Sequence, residues 1–384
     1  MNTNLAKIIA SRAVLSFSYG YLNIILSLYL YHIGYNFVTI GAIIGTAIII
    51  NAFLALILSM IADHFGRKNI LILLFIIFSI SSGLFLYTRN PFIISLLSGL
   101  GGFTGSGGGP IGSGGPFGAV QTALITEFTD RKNFSRILGI ASSIGMGINI
   151  IGSITVTIFE NYGLNIFLLF YIASIFGFIG AFIAYGIEDR KIRSKHLLPK
   201  VSWKNIIKLS LPTIPSGLGA GMVTPIFSLW FHIRYNVSAG QIGIIFAIAN
   251  GFTMLMMLIT PIIISHGNEL KAIVFTRIGA SLSLIALALS PTIIIGSFFY
   301  VIRAGLQMGA VPIRQSFSMN MVDDTERATT SGVTSFTRTG FSSVSPPISG
   351  ELMSYNIDFP PLIGGIFLFF DPILYYILFK KHWT

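Results

Sequence analysis

Long runs without a charged residue constrain this chain more than any other feature. Residues 37–62 contain no Lys, Arg, Asp or Glu, and residues 69–88 contain none either. A helix needs about 20 apolar residues to cross the roughly 30 Å hydrocarbon core of a bilayer. Each run is therefore predicted to be a transmembrane helix, and the chain is predicted to be a polytopic membrane protein.

Similar apolar runs recur along the whole sequence, separated mostly by short polar loops. Hydrophobic residues make up 53% of the chain and charged residues 10%, and the mean hydropathy is +0.81. A soluble domain averages about 25% charged residues, so the composition excludes an ordinary globular enzyme. We expect an all-α integral membrane fold with twelve segments: 8–32, 37–62, 69–88, 92–126, 136–160, 164–187, 205–234, 239–265, 271–289, 293–319, 328–353 and 358–379.

The basic residues predict how the chain crosses the membrane. Of the 24 Lys and Arg residues, 17 fall on the side predicted for the termini, and only Arg89 and Arg234 fall on the other. Cytoplasmic loops of membrane proteins carry the excess of Lys and Arg. We predict a multi-pass protein of the cell membrane with both termini in the cytoplasm. The net charge of +11 then reflects topology and anionic lipid, and does not indicate nucleic acid.

The chain lacks the residues that several kinds of enzyme and metal site require. The chain has no cysteines, and its six histidines have no metal-ligand spacing. It contains no His-Glu-x-x-His, Gly-x-Ser-x-Gly or kinase motif. We expect neither an enzyme nor a metal or cofactor.

The charged turn between segments 2 and 3 is the clearest motif. It reads Ser-Met-Ile-Ala-Asp-His-Phe-Gly-Arg-Lys over residues 59–68. Gly66 permits a sharp turn at a helix end, and Arg67 and Lys68 suit a cytoplasmic loop. Asp63 can pair with these cations or cap a neighbouring helix. On these properties alone, the turn can be a solvated loop that only sets the topology.

The order of residues resembles the loop between helices 2 and 3 of the major facilitator superfamily of secondary transporters. That family usually has Gly at the position of Ser59 and Arg at the position of His64. The resemblance implies two pseudo-symmetric bundles of six helices and a central site that opens alternately to each side of the membrane. It also implies that Asp63 and Arg67 bridge the two halves when the cytoplasmic side is shut.

A weak internal repeat divides the chain near its middle. At an offset of 196 residues, Pro116 aligns with Pro312. Two acidic residues followed by an Arg, at the same spacing, stand at the end of both segment 4 and segment 10. Matches at one offset favour duplication. The repeat adds four residues to the candidate gate: Glu127, Arg131, Asp323 and Arg327. We place the two bundles and the basic linker between them at residues 1–187, 205–384 and 188–204.

Two segments contain residues that break helices. Residues 101–118 contain ten Gly and two Pro. They either pack closely against neighbouring helices or form a broken helix whose second half begins near Pro116. Segment 7 carries Pro212, Pro215 and Pro225, which predict either a moving gate helix or a static kink.

Ionisable residues inside the spans are the best candidates for a substrate site. A charge at mid-bilayer costs about 2.5–3.5 kcal/mol on insertion scales, so each one needs a reason. Counting from the segment ends places Arg303, Arg338 and Asp371 near the midplane. Three further arginines lie nearer the cytoplasmic ends, from which long side chains can reach water: Arg12, Arg277 and Arg314.

Asp371 can form an ion pair with Arg338 or with Arg303, but it cannot neutralise both. The remaining arginine is then a candidate to bind an anionic group of the substrate, and Asp371 is a candidate to couple transport to protons. In the alternative interpretation, all three charges are structural. Further polar residues in the spans either contact substrate or hold helices together, and three of them are candidates: Asn51, Asn250 and Gln307.

We predict a secondary transporter that moves a small organic solute by alternating access, with an anionic substrate and protons as the coupling ion. One alternative is a uniporter or efflux pump for neutral or lipophilic compounds. Another is a transport-inactive membrane sensor. The expected partners are the substrate, protons and the lipid bilayer, and we expect a monomer.

Overall fold

The computed structural model describes residues 3–104, 115–129, 134–188, 203–264, 268–322 and 327–382. Within these ranges the chain forms long helices, and ten of them are long and apolar enough to cross a membrane. Predicted segments 4 and 11 are not among the ten. Segment 4 is divided into two short apolar helices, and segment 11 is a long helix rich in Ser and Thr. The all-helical membrane fold predicted from the sequence is confirmed.

The first seven described helices pack together, and we call them the N-terminal group. They are α1 Thr3–His32, α2 Phe37–Phe65, α3 Arg67–Leu84, α4 Pro91–Gly101, α5 Gly115–Glu127, α6 Phe134–Asn161 and α7 Leu169–Tyr185. Helix α1 packs against α6 and α7, α2 against α4 and α5, and α3 against α7. Aromatic rings fill the centre of the group, where the Phe85 centroid lies 4.5 Å from that of Phe170 and 5.3 Å from that of Phe103. Ring pairs of this kind add about 0.5–1.5 kcal/mol each to the stability that burial provides.

The nine remaining helices of the described chain form the C-terminal group. They are α8 Trp203–Ser210, α9 Thr213–Val223, α10 Phe227–Tyr235, α11 Ala239–Ile264, α12 Glu269–Ala288, α13 Ile293–Gly309, α14 Val311–Asn320, α15 Arg327–Tyr355 and α16 Phe359–Phe379. Helix α9 packs against α15 and α16, and α13 lies between α11 and α12. Most of the predicted linker, residues 189–202, lies outside the described residues.

Asparagine side chains fix the beginnings of several helices. The Asn36 side-chain oxygen accepts a hydrogen bond from the Thr39 N–H at 2.8 Å, and that of Asn268 accepts one from the Leu270 N–H at 2.9 Å. Such caps satisfy N–H groups that have no partner within the helix. Helix α2 ends at Phe65, and the next residue, Gly66, has a φ of 90°, which favours glycine. The helix ends define two faces of the protein. The terminal face holds the start of α1 and the end of α16, and the far face holds the turn between α1 and α2.

The two groups meet closely on the side of the far face. Helix α2 packs along α15, and α6 packs along α11. A Cβ atom on Gly41 would overlap the carbonyl oxygen of Pro346, and one on Gly350 would overlap that of Phe37. Small residues allow membrane helices to approach each other this closely, and they replace the hydrophobic driving force that lipid does not supply.

Two predicted segments are interrupted. Helix α4 ends at Gly101, Gly102 has a left-handed φ of 69°, and the next described helix begins at Gly115. The described part of segment 4 therefore agrees with the broken-helix alternative, while residues 105–114 lie outside the described residues. Segment 7 is interrupted between α9 and α10 by the 3-10 turn Thr224–Ile226. The turn contains Pro225, which has no N–H to continue the helix.

Candidate functional site

Arg303 on α13 is buried beside the break between α9 and α10. Its side chain is 4% exposed. Its Nη2 donates a long hydrogen bond of 3.4 Å to the Thr224 hydroxyl, and its guanidinium carbon lies 4.7 Å from the centroid of the Phe227 ring. No carboxylate lies within 4.0 Å of this guanidinium in the described parts of the chain, and its Nε has no hydrogen-bond partner there. The ring offers a cation–π contact, but a buried charge without a counter-ion remains unfavourable.

The break beside Arg303 lies at the boundary between the two groups. The turn Thr224–Ile226 and α10 both contact α1, and the Ser228 hydroxyl lies 2.8 Å from the Ser27 hydroxyl across this boundary. Helix α10 begins at Phe227, so the positive end of its dipole lies near Arg303. A guanidinium and a helix N-terminus thus place positive charge at the boundary, where an anion would be stabilised.

Tyr300 and Gln307 extend this region along α13. Residues separated by three or four positions lie on the same side of a helix, so both share a face with Arg303. Tyr300 stacks on Phe246 with centroids 5.2 Å apart. Gln307 is largely buried and forms no hydrogen bond among the described residues. An aromatic wall with a few convergent polar groups is typical of small-molecule sites.

Asp371 on α16 forms an ion pair with Arg277 on α12. The side chains are 1% and 6% exposed respectively, and Arg277 Nη1 also donates to the Ser216 hydroxyl at 3.3 Å. The prediction that Asp371 pairs with Arg338 or Arg303 is wrong, and so is the prediction that Arg277 reaches water. Helices α12 and α16 pack against each other, so the two charged side chains meet in the interior. A buried pair is more favourable there than two separate buried charges.

Arg12 is also buried more deeply than predicted. Its side chain is 0% exposed and approaches the position that a Cβ on Gly145 of α6 would occupy. Helix α1 packs against α6 and α7, and the Arg12 side chain lies on its buried side. Arg314 remains partly exposed.

Arg338 on α15 lies near enough to Arg303 for the two positive charges to interact. The charge of Arg338 interacts with those of Arg303 and Arg314, and the charge of Arg277 interacts with those of Arg314 and Arg338. We call these four residues the arginine cluster. An ion pair between described residues joins one member, Arg277, to Asp371. Like charges repel strongly in a medium of low dielectric constant, so the cluster favours the approach of an anion.

The structure does not bring Asn51 or Asn250 into contact with Arg303. The Asn51 Nδ2 donates to the Gly99 carbonyl at 3.2 Å and joins α2 to α4. The Asn250 Nδ2 donates to the Asn149 Oδ1 at 2.8 Å and joins α11 to α6. Both residues hold helices together in this structure, and contact with a substrate remains a prediction.

The charged turn between α2 and α3 makes its described contacts within the N-terminal group. Arg67 Nη1 lies 2.7 Å from Glu127 Oε1 and 3.2 Å from the Ala123 carbonyl oxygen, so it ties α3 to α5. The Lys68 ammonium lies 5.1 Å from the centroid of the Tyr185 ring. The resemblance implied that Arg67 bridges the two halves. Two of its contacts lie in its own half, where the buried Glu127 carboxylate is within reach, and a bridge between the halves when the cytoplasmic side is shut remains a prediction.

The other members of the predicted gate cannot be placed. Arg131 and Asp323 lie outside the described residues, and so do the side chains of Asp63 and Arg327. Their role as gate residues remains a prediction.

Sequence reasoning missed Thr224 and Phe227, the residues that Arg303 contacts. Pro225 marked the break in segment 7, but the sequence did not show which residue of another helix faces it. The orientation of α13 decides that contact.

Two packed groups of membrane helices, with a buried arginine beside a broken helix at their boundary, define a polytopic membrane protein with a candidate site in its interior. The chain belongs to the Major Facilitator Superfamily, whose sequence model matches residues 8–346. It is therefore a membrane transporter of a solute, and the resemblance noted at residues 59–68 is confirmed. No curated protein sequence matches the chain.

Solved structures with the same fold include several transporters. A crystal structure of the D323A mutant of the nucleoside transporter NupG has a TM-score of 0.79 and 15% identity, covering 99% of this chain and 100% of that one. A bacterial homolog of the human lysosomal transporter Spinster, inward-facing and occupied, has a TM-score of 0.73 and 15% identity, covering 98% and 97%. The POT family transporter PepTSo has a TM-score of 0.74 and 14% identity, covering 100% and 98%. At these identities the likeness shows the fold alone.

Proposed function

We propose that this transporter carries a small organic anion and that Arg303 binds the anionic group. The observation that supports the proposal is that only one of these two buried arginines, Arg277 and Arg303, has a described carboxylate partner. Asp371 is already paired with Arg277, whereas Arg303 is buried without a described carboxylate partner. A bound anion would supply the missing counter-charge.

The chemistry of the guanidinium favours a carboxylate or phosphate group. Its planar set of N–H donors matches two oxygens of either group, and charge-assisted hydrogen bonds are about twice as strong as neutral ones. Arg338 would add to the attraction through the arginine cluster. Gln307, which shares the face of Arg303, would bind an uncharged polar part of the same molecule.

The orientation of the protein in the membrane and the ion that drives transport are part of the same proposal. We propose that the terminal face is cytoplasmic, that the protein lies in the cell membrane as a monomer, and that the substrate crosses by alternating access. Asp371 is the proposed coupling residue. A proton on its carboxylate would remove the counter-charge of Arg277 and change the charge balance of the arginine cluster.

Ligand-dependent stability of the detergent-purified protein tests the anion assignment. The probes are succinate and inorganic phosphate as anions, and glucose and uridine as neutral compounds. A ligand at a hundred times its dissociation constant adds about 2.7 kcal/mol to the free energy of unfolding, which raises the melting temperature measurably. We expect stabilisation by at least one anion, a loss of that effect in Arg303→Gln, and partial retention in Arg303→Lys.

A matched control is Arg234→Gln. Arg234 is an arginine of the far face whose Nε lies 2.9 Å from Asp358 Oδ1, and it is not part of the arginine cluster. The control should respond to the anion like the unmodified protein. If only neutral probes stabilise the protein, and Arg303→Gln responds as the unmodified protein does, then the alternative of a neutral-solute carrier with structural arginines replaces this proposal.

A further inference from the structure

We propose that Glu160 is a latch that holds the far face closed and must release in every transport cycle. Glu160 lies in the last turn of α6, in the N-terminal group. Its Oε2 accepts hydrogen bonds from the Ser238 hydroxyl at 2.6 Å and from the Gly240 N–H at 2.7 Å, both at the start of α11 in the C-terminal group. One carboxylate oxygen therefore joins the two groups.

A second hydrogen bond from α6 holds the same residue, Gly240. The Thr157 hydroxyl, one turn before Glu160 on α6, donates to the Gly240 carbonyl oxygen at 2.7 Å. A Cβ atom on Gly240 would overlap the Glu160 carboxylate and lie 3.2 Å from the Thr157 Cα. Both backbone groups of Gly240 are thus held by α6, and only glycine allows the two helices to come this near.

The latch uses the electrostatics of a helix end. The first N–H groups of a helix lack partners within it and carry the positive end of the helix dipole, so a carboxylate is favoured there. In this protein the carboxylate comes from the opposite group of helices. The closed far face is therefore stabilised by an interaction that is lost when α6 and α11 separate.

Helix α11 can survive that separation because it has a cap of its own. Ser238 N–H donates to Gln241 Oε1 at 3.0 Å, and Gln241 N–H donates to the Ser238 hydroxyl oxygen at 3.3 Å. This reciprocal pair is a capping box. The Ser238 hydroxyl also donates to Glu160, but neither bond of the box needs the carboxylate. Opening would expose the Gly240 N–H and the Glu160 carboxylate to water without unravelling the helix, as a reversible latch requires.

The described contacts agree with a structure that is closed at this face. Across the two groups, Ser27 meets Ser228 at 2.8 Å on the far-face side of α1 and α10. The latch lies on the face that is closed here.

The absence of cysteine from the chain allows a direct test with a single introduced thiol. Ser27→Cys places the thiol in the buried contact between α1 and α10, where a soluble maleimide reaches it only when the far face opens. We expect Glu160→Gln, which keeps the shape but removes the charge, to raise the labelling rate of the purified protein about tenfold. Thr157→Val should raise it less.

Two controls make the result specific. Glu351→Gln removes another far-face carboxylate, which has no hydrogen-bond partner among the described residues, and it should leave the rate unchanged. Ser79→Cys places the thiol inside the N-terminal group, and Glu160→Gln should not affect its labelling. The proposal is overturned if Glu160→Gln leaves the Ser27→Cys rate unchanged, or if it raises both reporters equally, because the protein then loosens as a whole. The test needs no substrate, so its outcome is independent of the anion proposal.

Discussion

At the scale of the residue, the membrane makes the pairing of each charge decisive. Arg277 and Arg303 are both buried arginines of the C-terminal group, but one contacts Asp371 and the other contacts a hydroxyl and a ring. In an interior of low dielectric constant, a charge without a counter-ion is costly and a paired charge is much less so. We therefore propose that the Arg277–Asp371 pair serves structure and coupling, and that Arg303 binds the substrate.

The Arg277–Asp371 pair yields a prediction for stability and transport together. Removing one partner leaves the other charge buried alone, so Arg277→Gln or Asp371→Asn should lower the free energy of unfolding by about 3–5 kcal/mol. The double variant Arg277→Leu with Asp371→Leu should lower it less than either single variant. Thermal unfolding in detergent measures these effects. If the loss of unfolding free energy in the double variant equals the sum of the losses in the single variants, the two residues do not act as a pair.

Proteoliposome uptake separates the coupling role from the structural one. If Asp371 couples transport to protons, the stable double variant should still bind the probe that stabilises the unmodified protein, but it should show no uptake driven by a pH gradient. Proton-driven uptake at the unmodified rate would remove Asp371 from the coupling mechanism.

At the scale of the element, small residues determine how closely helices pack. Helix α15 contains two glycines in opposite environments. Gly350 faces the backbone of Phe37 on α2, whereas Gly340 has no neighbouring atom within 4 Å of the position that its Cβ would occupy. Because the helix is the same, the two positions form a matched pair.

We predict opposite effects of alanine at these two positions. Gly350→Ala should lower the melting temperature, because overpacking costs about 1–3 kcal/mol, and should speed labelling of the Ser27→Cys reporter. Gly340→Ala should leave labelling unchanged and raise the melting temperature slightly, since alanine favours a helix over glycine by up to about 1 kcal/mol. Equal effects at both positions would show that the α2–α15 contact does not hold the far face closed.

At the scale of the whole molecule, the proposed alternating access requires the two groups to separate on one face. The contact between α1 and α10 offers a way to prevent this motion covalently. The Ser27 and Ser228 hydroxyl oxygens are 2.8 Å apart across the groups, and the chain contains no other thiol that could interfere.

Oxidation of the double variant Ser27→Cys with Ser228→Cys should reduce proteoliposome uptake about tenfold, and reduction should restore it. The matched control is Ser79→Cys with Ser174→Cys, whose hydroxyl oxygens are 3.3 Å apart within the N-terminal group. A disulfide there joins helices that move together and should not affect uptake. Full transport by the oxidised Ser27–Ser228 variant would contradict separation of the groups at the far face.

Much of the architecture was predictable from the sequence, because it depends on local properties. The runs at 37–62 and 69–88 are long enough to span a bilayer wherever they are placed, and α2 and α3 occupy them. The charged turn between them identified the superfamily, which the match over residues 8–346 confirms. The Pro225 break was also visible in the sequence.

The choice of partners was not predictable in the same way. Asp371 was expected to meet Arg338 or Arg303 and meets Arg277. A helix that is apolar on all sides gives little indication of which face is buried, so its rotation about its own axis cannot be read from periodicity.

The sequence by itself determined that this protein is a bundle of membrane helices and where most of its spans lie along the chain. Only the tertiary structure decided that Arg303 faces a broken helix, that Arg277 neutralises Asp371, and that Glu160 reaches the start of α11. The physical reason is the same in each case. Span length and hydropathy are properties of consecutive residues, whereas an ion pair or a cap depends on the rotation and register of two helices far apart in the chain.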